Sequence, residues 1–224
     1  MNTRPAEYKL PLFEKLFGEG SDEVYTAFRE KAELRKLKAG DFMFRKGDAA
    51  KSVHMILSGI ARMHAFPASH GSFIIRFLKE GDMAGILEAF NHLPHQYTAT
   101  VHSKYLELAT LEVDVFMELL RELPEFGLQV MRQVDKDASF IEMRVADIRS
   151  QRVTDRIEGM ARAMKGKFGT DEKGRINIDI TPGNIAQMIG ATRTTVYRSL
   201  KKLEEEGIMR LQNRRIEPLK ELVP

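Results

Sequence analysis

Asn184-Ile-Ala-Gln-Met-Ile-Gly-Ala-Thr-Arg-Thr-Thr-Val-Tyr-Arg-Ser-Leu-Lys-Lys-Leu203 is the stretch whose reading decides the fold. Ile185, Ala186 and Ile189 recur at helical spacing, and Gly190 then permits a tight turn. Thr192 offers a hydroxyl N-cap to a second helix, on which Val196, Leu200 and Leu203 share one apolar face. The opposite face carries Arg193, Thr194, Arg198, Lys201 and Lys202. The pattern reads as a helix-turn-helix. Its second helix fits the major groove of B-DNA, where an arginine can donate two hydrogen bonds to the O6/N7 edge of guanine. The plain alternative is a helical hairpin with a solvated charged face. The short turn and the wing-like segment behind it favour DNA.

Working outward, Thr181-Pro182 opens the first helix, with Thr as N-cap and Pro in the first turn, where its missing N–H is harmless. Residues 176–180 read as a short strand, 166–174 as a loop and 152–164 as another helix. Behind the second helix Gly207 is a stop, and residues 208–211 and 215–218 flank a hairpin turn. Thr181, Thr192, Arg193, Thr194, Thr195, Arg198 and Lys201 are the candidate DNA contacts.

Charge supports a division of labour. From Arg152 to the end there are 15 Lys and Arg against 10 Asp and Glu; the preceding 151 residues hold 20 against 22. A basic C-terminal third beside a slightly acidic remainder fits a DNA-binding module joined to a part that leaves DNA alone. At 43% apolar and 30% charged residues the chain can bury a core. It has no Cys, which excludes disulfides, thiolate metal ligands and Cys-held iron–sulfur clusters. No run is long and apolar enough for a membrane span and the N-terminus lacks a signal peptide's apolar core, so a cytoplasmic protein without membrane partners is expected.

The N-terminal part begins helical, from about 8 to 35. From about 36 short runs of Ile, Val, Phe and Met alternate with Gly-containing turns, and residues 53–57, 73–78 and 106–111 are strand candidates. Such spacing implies a compact antiparallel barrel or jelly roll. Asp114 is placed to cap a helix over 115–120, Pro124 interrupts, and a long helix follows from about 125 to 149. Gly127, Val134, Ile141 and Ile148 repeat every seven residues along it, which suggests a parallel dimer seam; packing on the chain's own barrel is the alternative. Polar residues 149–152 read as a hinge. The expected organisation is α+β: a β-roll in 1–124, a long dimerisation helix with hinge in 125–151, and a winged helix-turn-helix in 152–224.

This order resembles the cyclic AMP receptor protein/Fnr superfamily of bacterial transcription regulators over essentially the whole chain. The matching stretches are Leu37-Lys-Ala-Gly-Asp-Phe-Met-Phe-Arg-Lys-Gly-Asp48, Ile56-Leu-Ser-Gly59, Gly81-Asp82 with Gly85, Arg152-Val-Thr-Asp-Arg-Ile157, and Thr181 through Arg198. The resemblance implies a cyclic-nucleotide-binding-like jelly roll, a homodimer, an inverted-repeat operator, a small effector and RNA polymerase as partner. It also implies where an effector would sit: Gly85, Ile86, Leu87, Phe90, Tyr97, Thr98 and Ile141.

The departures are informative. Nucleotide binders of this family carry Glu where this chain has Ile86, and Arg where it has Tyr97. Ile86 cannot accept from a ribose hydroxyl and Tyr97 brings no charge to a phosphate. Glu88 stands two positions late. The effector is therefore expected to be other than cyclic AMP or GMP. Some Cys-free relatives that respond to nitric oxide or carbon monoxide hold haem in this region, and His64, His92, His95, His102, Met63 and Met83 are candidate ligands on that reading. A cupin-like enzyme is the reading from another class. No His-x-His with a following Glu and no nucleophile–base arrangement supports it.

Overall fold

The computed structural model describes residues 10–18, 21–66, 72–148 and 152–222, with backbone alone at Leu10 and from 139 to 148. The chain divides into two compact units, one of residues 1–65 and 75–138, the other of 66–74 and 139–224. The hinge expected at 149–152 lies outside the described residues except for Arg152.

The first unit starts with helices α1 (Leu10–Phe17) and α2 (Ser21–Lys31), where sequence suggested one helical region. Eight strands follow: β1 (Glu33–Lys38), β2 (Phe42–Phe44), β3 (Ser52–Ser58), β4 (Ala61–Ala65), β5 (Phe73–Leu78), β6 (Met83–Ala84), β7 (Thr98–Val101) and β8 (Tyr105–Glu112). They form two four-stranded sheets, ordered β1-β8-β3-β6 and β2-β7-β4-β5. Helix α3 (Ile86–Asn91) interrupts the strands, and α4 (Val113–Glu122) and α5 (Pro124–Ile148) follow them. Asp114 lies in the first turn of α4, whose N-cap is Glu112, so it complements the helix dipole and does not cap.

Alternation along the strands builds two cores. Ile56, Leu106 and Leu108 face the inside of the roll with Met43, Phe44, Met63 and Val101. Val53, Met55, Leu57, Ala109 and Leu111 face the other way and pack under Phe13, Phe28, Phe116, Leu119 and Phe126 of the helices. Phe28, Phe116 and Phe126 meet edge to face, with Phe126 centroids 5.6 Å and 5.5 Å from the other two.

The second unit holds α6 (Val153–Phe168), α7 (Pro182–Ile189), α8 (Arg193–Glu205) and the hairpin of β9 (Met209–Gln212) and β10 (Arg215–Pro218). The hairpin turns at Asn213 and Arg214, both with positive φ (49° and 62°). Residues 176–180 are not a regular strand. Ile176 N–H donates to the Ile216 carbonyl, Ile180 N–H to that of Arg214 and Asn177 N–H to that of Gly169, so the segment is tied at separate points with a single bridge to Thr170 and no continuous ladder. Ile176, Ile178 and Ile180 are buried, which explains the strand-like alternation read from sequence.

Two buried histidines make the first unit acid-sensitive. His54 bonds Thr110 Oγ1 through Nδ1 at 3.1 Å, and burial, aided by Arg35 and His95, pushes its pKa down to about 3. His64 bonds Thr100 Oγ1 through Nε2 at 2.8 Å, and burial, aided by Arg62 and His102, pushes its pKa down to about 4. Both folded values lie below the unfolded one, so their contribution is complete above about pH 6.5 and is lost as pH falls, by about 1.4 kcal/mol per pH unit for each histidine. The urea midpoint is expected to be lower at pH 5 than at pH 7. A His54→Asn, His64→Asn variant should show a smaller difference between the two, and an equal difference would refute the assignment.

Candidate nucleic-acid interface

Helix α7 is held at both ends. Thr181 Oγ1 accepts from Asn184 N–H at 3.1 Å while Asn184 Oδ1 accepts from Thr181 N–H at 3.0 Å, a reciprocal capping box that uses Asn where Glu or Gln is usual. At the other end Gly190 takes the left-handed conformation (φ 65°), and Arg156 Nη1 of α6 donates to the Ile189 carbonyl at 2.8 Å. Thr192 Oγ1 then caps α8 by accepting from Thr195 N–H at 3.2 Å, and the two hydroxyls bond each other at 2.9 Å. Ile185, Ala186, Ile189, Val196, Leu200 and Leu203 are all buried, as their spacing predicts.

The packing leaves one face of α8 outward, with Arg193, Thr194, Tyr197, Arg198 and Lys201 exposed. The Arg193 guanidinium lies against Gly183 at the start of α7: a Cβ there would stand 3.1 Å from its Nε and 3.4 Å from its Cζ. Gly183 thus permits a close approach that no sequence signal announced. Lys201 reaches Glu205 at 3.7 Å in an exposed pair one turn on, a contact worth little in water. The Thr181 hydroxyl is already committed to its cap, so it can meet a phosphate only in addition to that bond. In the hairpin, Arg210 grips Glu217 through two hydrogen bonds of 2.9 Å and 3.0 Å. Asp171 accepts from Arg175 and Arg215, and its carboxyl is held down at about 2, chiefly by the Arg175 hydrogen bond.

The residues expected to line an effector pocket differ in exposure. Ile86 is buried with Val53, Met83 and Phe116 in the helical core, whereas Leu87 and Phe90 are 59% and 44% exposed. Helical geometry separates them, because α3 turns one face to the core and one to solvent. Tyr97 is 36% exposed, Thr98 Oγ1 accepts from Lys46 N–H, and the Ile141 side chain lies outside the described residues. Gly85 packs against Ser52 and His95.

The roll holds charge that sequence reading missed. Arg76 of β5 shares the inward parity of Leu78; its Nε donates to Met63 Sδ and its Nη1 pairs with the Asp137 carboxylate of α5. Gln133 Nε2 donates to the same carboxylate at 2.9 Å. Burial pushes the Arg76 pKa down, opposed by Asp82, Glu88 and Tyr97. Glu88 is buried and accepts from Gln96 N–H. A lone Arg between Ile74 and Leu78 at alternate positions was the available signal.

Five of the six histidines lie among the described residues. His54 and His64 are bonded to threonines, His92 is exposed, His102 packs edge-on to Phe77, and the His95 ring stacks on Phe44 with centroids 3.8 Å apart. Met63 is taken by Arg76, and Met83 is 1% exposed in the helical core. His95 Nδ1 is buried without a hydrogen-bond partner, its ring held against Phe44. Among the described residues no group of three or more His, Asp or Glu could hold a metal ion, and no helix is long and apolar enough to cross a membrane.

Residues 34–122 match the cyclic nucleotide-binding domain family, and residues 151–221 match the Crp-like helix-turn-helix domain family. The chain belongs to the Crp/Fnr superfamily. It is a transcription regulator of that family with a DNA-binding helix-turn-helix domain. It is 24% identical over 179 residues to the CRP-like cAMP-activated global transcriptional regulator of Mycobacterium tuberculosis, covering 79% of this chain and 80% of the relative. It is 22% identical to the global nitrogen regulator of Synechococcus elongatus, covering 87% of this chain and 92% of that one. In fold it is similar to the c-di-GMP responsive regulator CLP of Xanthomonas campestris (TM-score 0.77, 16% identity, 89% of this chain and 100% of that one). A CooA variant of Carboxydothermus hydrogenoformans is also similar (TM-score 0.74, 16% identity, 93% and 91%).

The caps carry a prediction. Thr181→Ala removes the acceptor for Asn184 N–H and should cost about 1 kcal/mol of stability. Urea denaturation followed by helical circular dichroism reads this directly; an unchanged midpoint would mean that the box adds nothing.

Proposed function

We propose that this regulator binds an inverted-repeat operator as a homodimer and responds to a small effector in its first unit. The observation that carries the DNA contact is the outward face of α8, on which Arg193, Thr194 and Arg198 stand clear of the core while Val196, Leu200 and Leu203 anchor the helix from behind. Arg193 and Arg198 read guanine edges, Thr194 and Thr195 face the groove, and Lys201 and the start of α7 at Thr181 meet phosphates. RNA polymerase is the expected protein partner. The chain acts by binding and is not an enzyme.

Selection from random DNA should yield an inverted repeat with half-sites about one helical turn apart. Arg198→Ala should cost about 1–3 kcal/mol on that site and relax one G·C preference, whereas Lys201→Ala should weaken all sequences evenly and reduce the salt slope by about one. An intact preference in the Arg198 variant would overturn the base-reading assignment.

For the dimer seam we propose the outward face of α5. A Cβ at Gly127 would stand 3.7 Å from the Leu120 carbonyl, and Val134 is partly buried against the helical core of its own chain. Among the described residues, the large apolar side chains that α5 exposes are Leu128 and Met131, 46% and 69%, with Ala138 seven residues past Met131. These form the proposed seam; Ile141 and Ile148, further along α5, lie beyond the described side chains. Met131→Lys should shift sedimentation from dimer to monomer and abolish operator binding. A dimer of unchanged affinity would exclude this face.

Ile86 and Tyr97 argue for an effector other than a cyclic nucleotide. One observation favours a cyclic nucleotide as a second reading: Arg76 and Glu88 put a buried guanidinium and carboxylate in the roll. A phosphate would have to displace Asp137 from Arg76, which is the physical reason to prefer the first reading. Cyclic AMP is expected to leave operator affinity unchanged, since a ligand shifts an equilibrium only by its differential affinity for the two states. A cyclic AMP titration that tightens the DNA complex would establish the nucleotide reading. The haem reading predicts a Soret band on haem addition, with the unpartnered Nδ1 of His95 as its candidate ligand.

A further inference from the structure

Tyr197 is 68% exposed on α8, and among the described residues its ring and hydroxyl make no ring contact, ion pair or side-chain hydrogen bond. A single exposed aromatic is ordinary on a protein surface. Its position is what matters. It stands one turn after Arg193, one turn before Lys201, and three residues after Thr194, with Arg198 beside it. The core-facing residues Val196 and Leu200 fix the helix from behind, so Tyr197 cannot turn inward without unpacking them.

Side chains on a helix lean toward its N-terminus, so the Tyr197 ring lies over the turn of Arg193 and Thr194. In helix-turn-helix proteins that turn enters the major groove. The floor of the groove is polar except for the C5-methyl group of thymine, and an aromatic face complements a methyl group where charged neighbours cannot. The ring has few rotatable bonds, so ordering it costs little entropy. We propose that Tyr197 is a specificity-determining residue whose ring packs on the C5-methyl of one thymine in each operator half-site. This rests on the DNA-binding reading above.

The test uses the full-length protein and the operator it selects from random DNA, with affinity measured by fluorescence anisotropy while each thymine in turn is replaced by deoxyuridine. At one position per half-site the loss of the methyl should weaken wild-type binding about fourfold, the factor equivalent to ~0.8 kcal/mol for one buried methyl-sized group. Tyr197→Ala should lose that uracil penalty at that position alone, and Tyr197→Phe should keep it. Because the side chain is exposed, both variants should retain wild-type thermal stability. The inference is overturned if no thymine is uracil-sensitive, if Tyr197→Ala keeps the full penalty, or if Tyr197→Phe weakens every sequence evenly, which would mark a hydroxyl–phosphate contact. Failure of the wild type to select any sequence would refute the DNA reading first, before a single methyl is removed, and this inference with it.

Discussion

Strand β3 has to be covered on both faces, and most of the first unit is arranged to do so. Its five central residues are buried. On one side Val53, Met55 and Leu57 need apolar cover, which α1, α2, α4 and the start of α5 supply; on the other, Ile56 needs the second sheet. His54 shares that inner side; burial keeps it neutral there, and Thr110, directly opposite on β8, meets its ring nitrogen. A strand sealed in this way cannot slip by one residue, since a slip would exchange its two faces. That fixes β8, and β8 carries the chain into α4 and α5.

The helix-turn-helix was legible because its signals are local. A hydroxyl before each helix, Gly190 between them and a 3.6-residue apolar repeat each act within a few residues. The strands of the roll were legible in kind, since Gly turns and Ile, Val and Phe runs set them, but not in pairing. The partnership of Arg76 with Asp137 spans sixty residues and joins a strand to a helix, and nothing near either residue marks it. The stripe through Gly127 and Val134 is ambiguous for a related reason: a seven-residue repeat marks an apolar face without saying whose surface covers it. Val134 packs in part on the chain's own helical core. Residues 176–180 show the same ambiguity, alternating like a strand while bonding as a tethered loop.

The effector region shows what family likeness leaves open. The resemblance located the roll and α3, yet the residues named from it diverge in direction, with Ile86 inward and Leu87 and Phe90 outward. The charges that the roll does contain come from β5, α3 and α5, three elements whose sequences are unremarkable taken singly. Solved relatives of similar fold include one described as responsive to c-di-GMP, so the scaffold itself names no ligand.

The hairpin turn of the second unit carries a trade-off. Asn213 and Arg214 both adopt the left-handed conformation, which Asn tolerates and which costs an arginine about 1–2 kcal/mol. Glycine at 214 would remove that strain, and many hairpins use Asn-Gly for this reason. The chain instead accepts a less comfortable backbone and keeps an exposed cation at the tip. The tip is therefore a place where stability has been exchanged for charge, and a variant optimised for thermal tolerance alone would erase it.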